Sequence, residues 1–242
     1  ATLAGWTLGG GDLAGKAQAR IFNGAPSTFG VTPAAAVVVN AWHHLTMVFD
    51  GAGPANADKL KMYVNGLPVA AMFTGTIPTM FSSPGATMRL GHYQWSPGVT
   101  ANGTVDEVHV SRTARSAGWI KAEFDNQKAA ATFPTLGTEE NLGGSAFRKK
   151  FSVNPADIDA TLVNFPVLVR ITGDAQLTAA ARTDGLDIRF KDATGTSVLA
   201  FERESFNKAT GTLVAWVKLP SVSDTLPTDF YMYYGDGAAA DL

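Results

Sequence analysis

Apolar residues recur at every second position through most of this chain, and each run is cut short by Gly, Pro, Asn or Asp. Side chains on a strand point alternately to its two faces, so this period marks half-buried strands and not helices. In "LKMYVNG" (60–66), Leu60, Met62 and Val64 share one face, and Asn-Gly is a strong hairpin signal. "MRLGHY" (88–93) and "GTVDEVHVSR" (103–112) read as further strands, with Val108 and Val110 opposite Glu107 and His109. "FPVLVRITG" aligns Phe165, Val167, Val169 and Ile171, and "GTLVAWVKLP" aligns Leu213, Ala215, Val217 and Leu219. "DFYMYYGDG" sets Phe230, Met232 and Tyr234 against Tyr231 and Tyr233. "LDIRFKDATGTSVLAFERESF" reads as a hairpin turning at residues 192–195. Many short strands with frequent turn residues predict an all-β fold of sandwich type.

Composition narrows the partners. The chain has 242 residues, room for one large β domain or two ordinary ones, and 45% of them are hydrophobic, enough for a packed core. The net charge is -2, and Arg148-Lys149-Lys150 is the densest basic cluster. No nucleic-acid partner is expected from that balance. No run of about 18 apolar residues occurs, so no membrane insertion by a helix is expected. Cysteine is absent, which excludes disulfides, thiolate metal sites and cysteine nucleophiles. No GxSxG, Walker A, GxGxxG or HExxH motif occurs, and the glycine-rich "GGGDLAGKA" (9–17) lacks the Walker spacing.

One stretch breaks the β pattern. "SAGWIKAEFDNQ" (116–127) predicts a short helix, with Ile120 and Phe124 one turn apart. "DAQLTAAAR" (174–182) predicts a helical turn or two. The polar, small-residue text that follows the first helix includes a Gly-Gly pair and reads as a boundary. The expected organisation is a first β domain over 1–127, a linker over 128–145 and a smaller β-sandwich over 146–242.

Two stretches carry family resemblances. "GWTLGG", "AWHHLTMVFDG", "LKMYVNG", "MRLGHY" and "NGTVDEVHVSR", in this order and spacing, resemble the LamG-like, concanavalin A-like jelly roll over roughly residues 1–125. That family carries further strands ahead of "GWTLGG", so the resemblance implies a partial jelly roll here. From "FPVLVRITG" to "DFYMYYGDGAA" the chain resembles an uncharacterised β domain. That domain accompanies LamG-like domains in large bacterial surface and envelope proteins, some described as MotA/TolQ/ExbB proton-channel-like. The resemblance implies a non-catalytic adhesion, binding or spacer module, extracellular or at the cell surface, with the periplasm as second choice. The implied partners are glycans, cell-surface proteins and neighbouring domains of the same chain or another protomer. The rival expectations are a glycoside hydrolase or lyase on the same scaffold, and a subunit assembling by strand complementation.

Few residues are candidates for site chemistry. His43 and His44 are adjacent, so on a regular strand they face opposite ways and cannot share one metal. Relatives of the LamG type sometimes bind calcium through loop oxygens, which singles out Asp50, Asn56 and Asp58 in "DGAGPANADK", with Asp106. Calcium takes about six to eight oxygens, and the same residues also make tight turns without an ion. Tyr93, Gln94 and Trp95 in "GHYQWSPG" are candidates for a sugar platform, where rings stack and the amide donates. Glu202 and Glu204 lie two apart, roughly 7 Å along a strand, a spacing used by paired glycosidase carboxylates. They lie outside the jelly-roll resemblance, however, and a solvated strand face accounts for them without chemistry.

Overall fold

A computed structural model describes residues 4–10, 15–23, 28–80, 90, 103–143 and 146–238. The chain divides into two compact units, Ala1–Ala117 and Gly118–Leu242. Each is built mainly of antiparallel strands, as the alternation predicts.

In the first unit, β1 (Ala4–Gly10), β2 (Ala17–Asn23), β3 (Thr28–Val31) and β7 (Met72–Thr74) form one sheet in the order β1-β2-β3-β7. A second sheet holds β4 (Leu45–Phe49), β5 (Leu60–Val64) and β6 (Leu67–Val69). Alternate residues of β2 (Ala17, Ala19, Ile21) pack with Leu60 and Met62 of β5 and with Ile77, so the core lies between the sheets. Asn65 (φ 52) and Gly66 (φ 76) both take left-handed conformations between β5 and β6. That is the Asn-Gly turn expected from the sequence. A four-residue helix, α1 (Asn56–Lys59), sits in the loop before β5.

Two expectations for this unit change. His43 and His44 precede β4 and do not belong to it. Residues 103–112 form no strand, and Val105, Val108 and Val110 are 56%, 44% and 61% exposed. The reason is local: Glu107 sits at φ 51, which breaks the extended repeat on which the alternation argument depends. Of 88–93, only Leu90 falls among the described residues.

The second unit pairs a three-stranded sheet with a four-stranded one. The first holds β10 (Leu162–Ile171), β13 (Thr212–Val222) and β12 (Phe201–Asn207), in the order β10-β13-β12. The second holds β11 (Arg189–Asp192), β14 (Thr228–Tyr234), β9 (Phe147–Val153) and β8 (Pro134–Asn141), in that order. The faces predicted from the alternation are the buried ones. Phe165, Val167, Leu213, Ala215, Val217, Phe230 and Met232 are all fully buried. Aromatic contacts knit them, with Phe151 stacked on Phe230 at 5.1 Å and Phe190 edge-on to Phe201 at 5.2 Å.

The predicted linker is structured. Helix α2 (Ala117–Lys128) falls almost wholly in the second unit, and β8 pairs with β9 where the linker was expected over 128–145. Its polar text belongs to an edge strand, which has one ladder partner and one solvated face. β10 is the edge of the opposite sheet, and α2 covers it. The fully buried Asn126 donates through Nδ2 to the Pro166 carbonyl (3.1 Å) and accepts through Oδ1 from the Leu168 N–H (3.0 Å). One side chain thereby occupies backbone groups that an unpaired edge would leave open. Trp119 meets Phe165 edge-on at 5.4 Å beside it.

The expected hairpin over 186–206 also divides. Asp192 organises the turn, its Oδ1 accepting from Thr194 Oγ1 (2.8 Å) and the Thr196 N–H (3.2 Å). Its arms then separate, β11 pairing with β14 and β12 with β13 of the other sheet, which leaves only a Lys191–Val198 bridge between them.

Candidate functional site

The calcium candidates are occupied with their own loop. Asp50 Oδ1 accepts from the Ala52 N–H (3.2 Å), and Asp58 Oδ2 from the Ala55 N–H (3.1 Å). Asn56 spends both ends of its carboxamide on backbone, donating to the Gly75 carbonyl (2.9 Å) and accepting from the Ile77 N–H (2.8 Å). Lys59 Nζ donates to the Ile77 carbonyl at 3.2 Å. Together Asn56 and Lys59 staple the loop to the segment that follows β7. Asp106 accepts from the Glu107 N–H at 3.0 Å. Among the described residues, no three His, Asp or Glu side chains gather as metal ligands. The Asn56 carboxamide is used up, so a cation at Asp50 and Asp58 would need most of its oxygens from elsewhere.

The histidine pair is held by neighbours. His43 Nε2 accepts from the Val38 N–H at 2.9 Å. The His44 N–H donates to Asn65 Oδ1 (3.1 Å), which ties this segment to the Asn-Gly turn. Tyr93, Gln94 and Trp95 lie outside the described residues. Glu202 and Glu204 are both exposed on β12, an edge strand. The register shifts between Arg203 and Ser205, so Glu204 is the extra residue of a bulge and the simple two-residue geometry does not hold.

A more unusual arrangement lies inside the second unit. Lys149 points inward from β9, in line with Phe151 and Val153, and is only 4% exposed. Its Nζ is in contact with Asp174 Oδ2, and the two side chains are 5% and 10% exposed. Asp174 is also the cap of α3 (Ala175–Ala180), with Oδ1 accepting from the N–H groups of Gln176 (3.1 Å) and Leu177 (2.9 Å). The Asp174 backbone is fixed by an N–H bond to the Gly211 carbonyl at 3.1 Å. Gly211 (φ +59) is needed there, because a Cβ would come within 2.1 Å of the Asp174 carbonyl oxygen.

Glu139 on β8 stands opposite Lys149 on β9. It faces the pair because of a bulge. Leu136 is registered with Phe151 and Glu139 with Lys149, so Gly137 and Thr138 together oppose Lys150. Paired without the bulge, the same residues would set Glu139 opposite Arg148 and turn it to the other face. Burial pushes its carboxyl above the ordinary range; Lys149 opposes the rise and Asp174 adds to it. Its Oε2 is buried without a hydrogen-bond partner. Sequence reasoning passed over this trio, although Lys149 interrupts an inward series of Phe147, Phe151 and Val153. It was read only as part of a basic cluster.

The outer face of the same sheet is aromatic and cationic. Tyr231 and Tyr233 lie side by side at 6.4 Å, with Arg148 over the first ring (4.4 Å) and Lys191 over the second (4.7 Å). Arg148 also donates to Glu140 through Nε (2.9 Å) and Nη2 (2.6 Å), which holds the guanidinium in place.

No curated protein and no solved structure matches the chain. The proton-channel-like description finds no support in the family models that do match. Residues 5–121 are similar to the family model described as Concanavalin A-like lectin/glucanases superfamily, and residues 184–242 to that of a domain of unknown function, DUF2341.

Proposed function

We propose that this chain is a non-catalytic binding and spacing module of a larger bacterial surface protein, with glycans or cell-surface proteins as its ligands. The observation that carries the reading is the match of residues 5–121 to a superfamily of lectins and glucanases. Fold does not fix function, so the choice between lectin and glucanase behaviour turns on the residues. The acid pair with a spacing that suits a glycosidase, Glu202 and Glu204, lies outside residues 5–121, in the second unit, and both are exposed on an edge strand. That supports binding without catalysis. Tyr93, Gln94 and Trp95 are the proposed sugar contacts in the first unit. The Tyr231–Tyr233 face, flanked by Arg148 and Lys191, is a second contact surface of the chemistry that protein and sugar ligands use. A glycan array and a cell-surface pull-down with the whole chain test this. The expected result is a ligand whose capture falls on Trp95→Ala or on Tyr231→Ala. No capture above background would leave spacing as the only role.

A second reading is assembly, in which a strand from a neighbouring protomer completes the first unit. It is favoured by residues 103–112, which have strand-like sequence but form no strand and leave three valines exposed. Light scattering of the purified chain distinguishes it. A concentration-dependent polymer supports assembly, and a monodisperse monomer at all concentrations removes it.

A further inference from the structure

We propose that Lys149 and Asp174 are joined by an intramolecular amide bond, formed by the folded domain itself with Glu139 as the proton carrier. Three arrangements already described carry this. A lysine on β9 and the aspartate that caps α3 are in direct contact, their side chains only 5% and 10% exposed. A second carboxyl group, that of Glu139, aimed inward only because β8 is bulged, stands opposite the lysine. The far oxygen of the aspartate sits between two backbone N–H donors.

The chemistry needs a dry, fixed site, because water favours the separated ions. Here Tyr234 presents its ring 6.0 Å from Lys149 Nζ, Phe147 stacks on Tyr234 at 5.9 Å, and Phe151 is the next inward residue of β9. In such surroundings an ammonium–carboxylate pair can exchange its proton and become an amine and a carboxylic acid. The Nζ lone pair then adds to Cγ of Asp174. The carbonyl π electrons move onto Oδ1, where the Gln176 and Leu177 N–H groups stabilise the negative charge. Glu139 takes a proton from the nitrogen and returns it to the Oδ2 hydroxyl. The C–O bond breaks, the carbonyl re-forms, and one water leaves. One C–N bond has replaced one C–O bond, Glu139 ends as it began, and no oxidant, reductant or co-reactant is consumed. Both reacting groups are held by the fold, so the step is effectively unimolecular. Asp174 also lines a cleft with Phe151, Pro134, Leu136, Arg170 and Gln176, which gives the released water a way out.

The proposal stands apart from the binding reading and is tested by mass. The whole chain, denatured and weighed by mass spectrometry, is expected one water lighter than its sequence. Proteolysis should release a branched peptide joining Lys149 to Asp174. E139Q is expected to keep the full sequence mass while retaining its circular-dichroism spectrum and cooperative melt, which a merely structural role for Glu139 would not produce. E139D should restore the cross-link in part. K149R keeps the ion pair and should also keep the full mass. Wild-type protein at full sequence mass would overturn the proposal. So would a water loss mapped to the Asp-Gly pairs at 50–51, 184–185 or 236–237, where cyclisation of the aspartate also expels water. An E139Q chain that still cross-links would remove Glu139 from the step.

Discussion

The two units use the same device, a pair of facing antiparallel sheets, but fill it differently. The described core of the first unit is mainly alanine and aliphatic residues with methionine, Tyr63 its one buried ring and Phe49 and Phe73 partly buried against it, on strands of three to seven residues. The second unit runs strands up to eleven residues long and fills its interior with phenylalanine, tyrosine and branched residues in ring-to-ring contact. The buried ion pair is in the second. Lysine and aspartate inside a core cost several kcal/mol of desolvation each, so they belong where the surrounding packing is strong enough to hold them. The comparison teaches that depth of packing, and not strand count, decides where polar chemistry can be placed.

That comparison can be broken by experiment. The largest effect is expected from Phe230→Ala, which should destabilise the second unit by about 3–5 kcal/mol in calorimetry. Ile21→Val in the first unit should cost only about 0.5–1.5 kcal/mol. If the first unit suffers equally, the contrast in packing is wrong. Next comes Asn126→Leu, which strands the Leu168 N–H and the Pro166 carbonyl beneath a helix. Urea denaturation should show a loss of about 1–3 kcal/mol. In the first unit, Gly66→Ala forces a side chain into a left-handed turn and should cost about 1 kcal/mol by the same measurement.

A finer test is the pH dependence. Folding raises the Glu139 carboxyl above its ordinary value of 4.5. Its contribution to stability is therefore fully present below that value and is lost as pH rises through the folded one. Asp184, Asp192 and Asp224 go the other way: hydrogen bonds lower each from 3.8, chiefly from the Leu186 N–H, the Thr194 hydroxyl and the Thr161 hydroxyl respectively. Their contribution is present above 3.8 and is lost below it. E139Q should therefore remove the loss of melting temperature that sets in as pH rises above 4.5, and leave the acid limb below pH 3.8 in place. The smallest effect is expected from Lys121→Ala, which removes an exposed i,i+4 pair with Asp125 (2.8 Å) and should cost under about 0.5 kcal/mol.

Much of the fold was legible because burial leaves a period. The inward series of β10, β13 and β14 followed from counting by two, and the Asn-Gly turn from its need for two left-handed residues. The misreadings have physical causes. β8 passed for a linker because an edge strand tolerates Thr, Gly and Glu, and α2 was given to the wrong unit because its anchor, Asn126, is a polar residue doing an edge strand's hydrogen bonding. Residues 103–112 alternate like a strand, but alternation cannot reveal Glu107 in the left-handed region. The candidate site was half visible. Lys149 breaks an aromatic series and could have been flagged. Asp174 is twenty-five residues away and Glu139 is turned inward by a bulge, neither of which a local pattern encodes.

The bulge at Gly137–Thr138 has a consequence in evolutionary terms. It absorbs one codon in space without changing which of β8's later side chains meet the interior. A chain lacking Thr138 would set Gly137 alone opposite Lys150, pair regularly, and still bring the acid opposite Lys149. The trio therefore tolerates this change of length without a change in any member of it. A relative should be judged by whether its acid is paired with the lysine, and not by the number of residues between Leu136 and the acid.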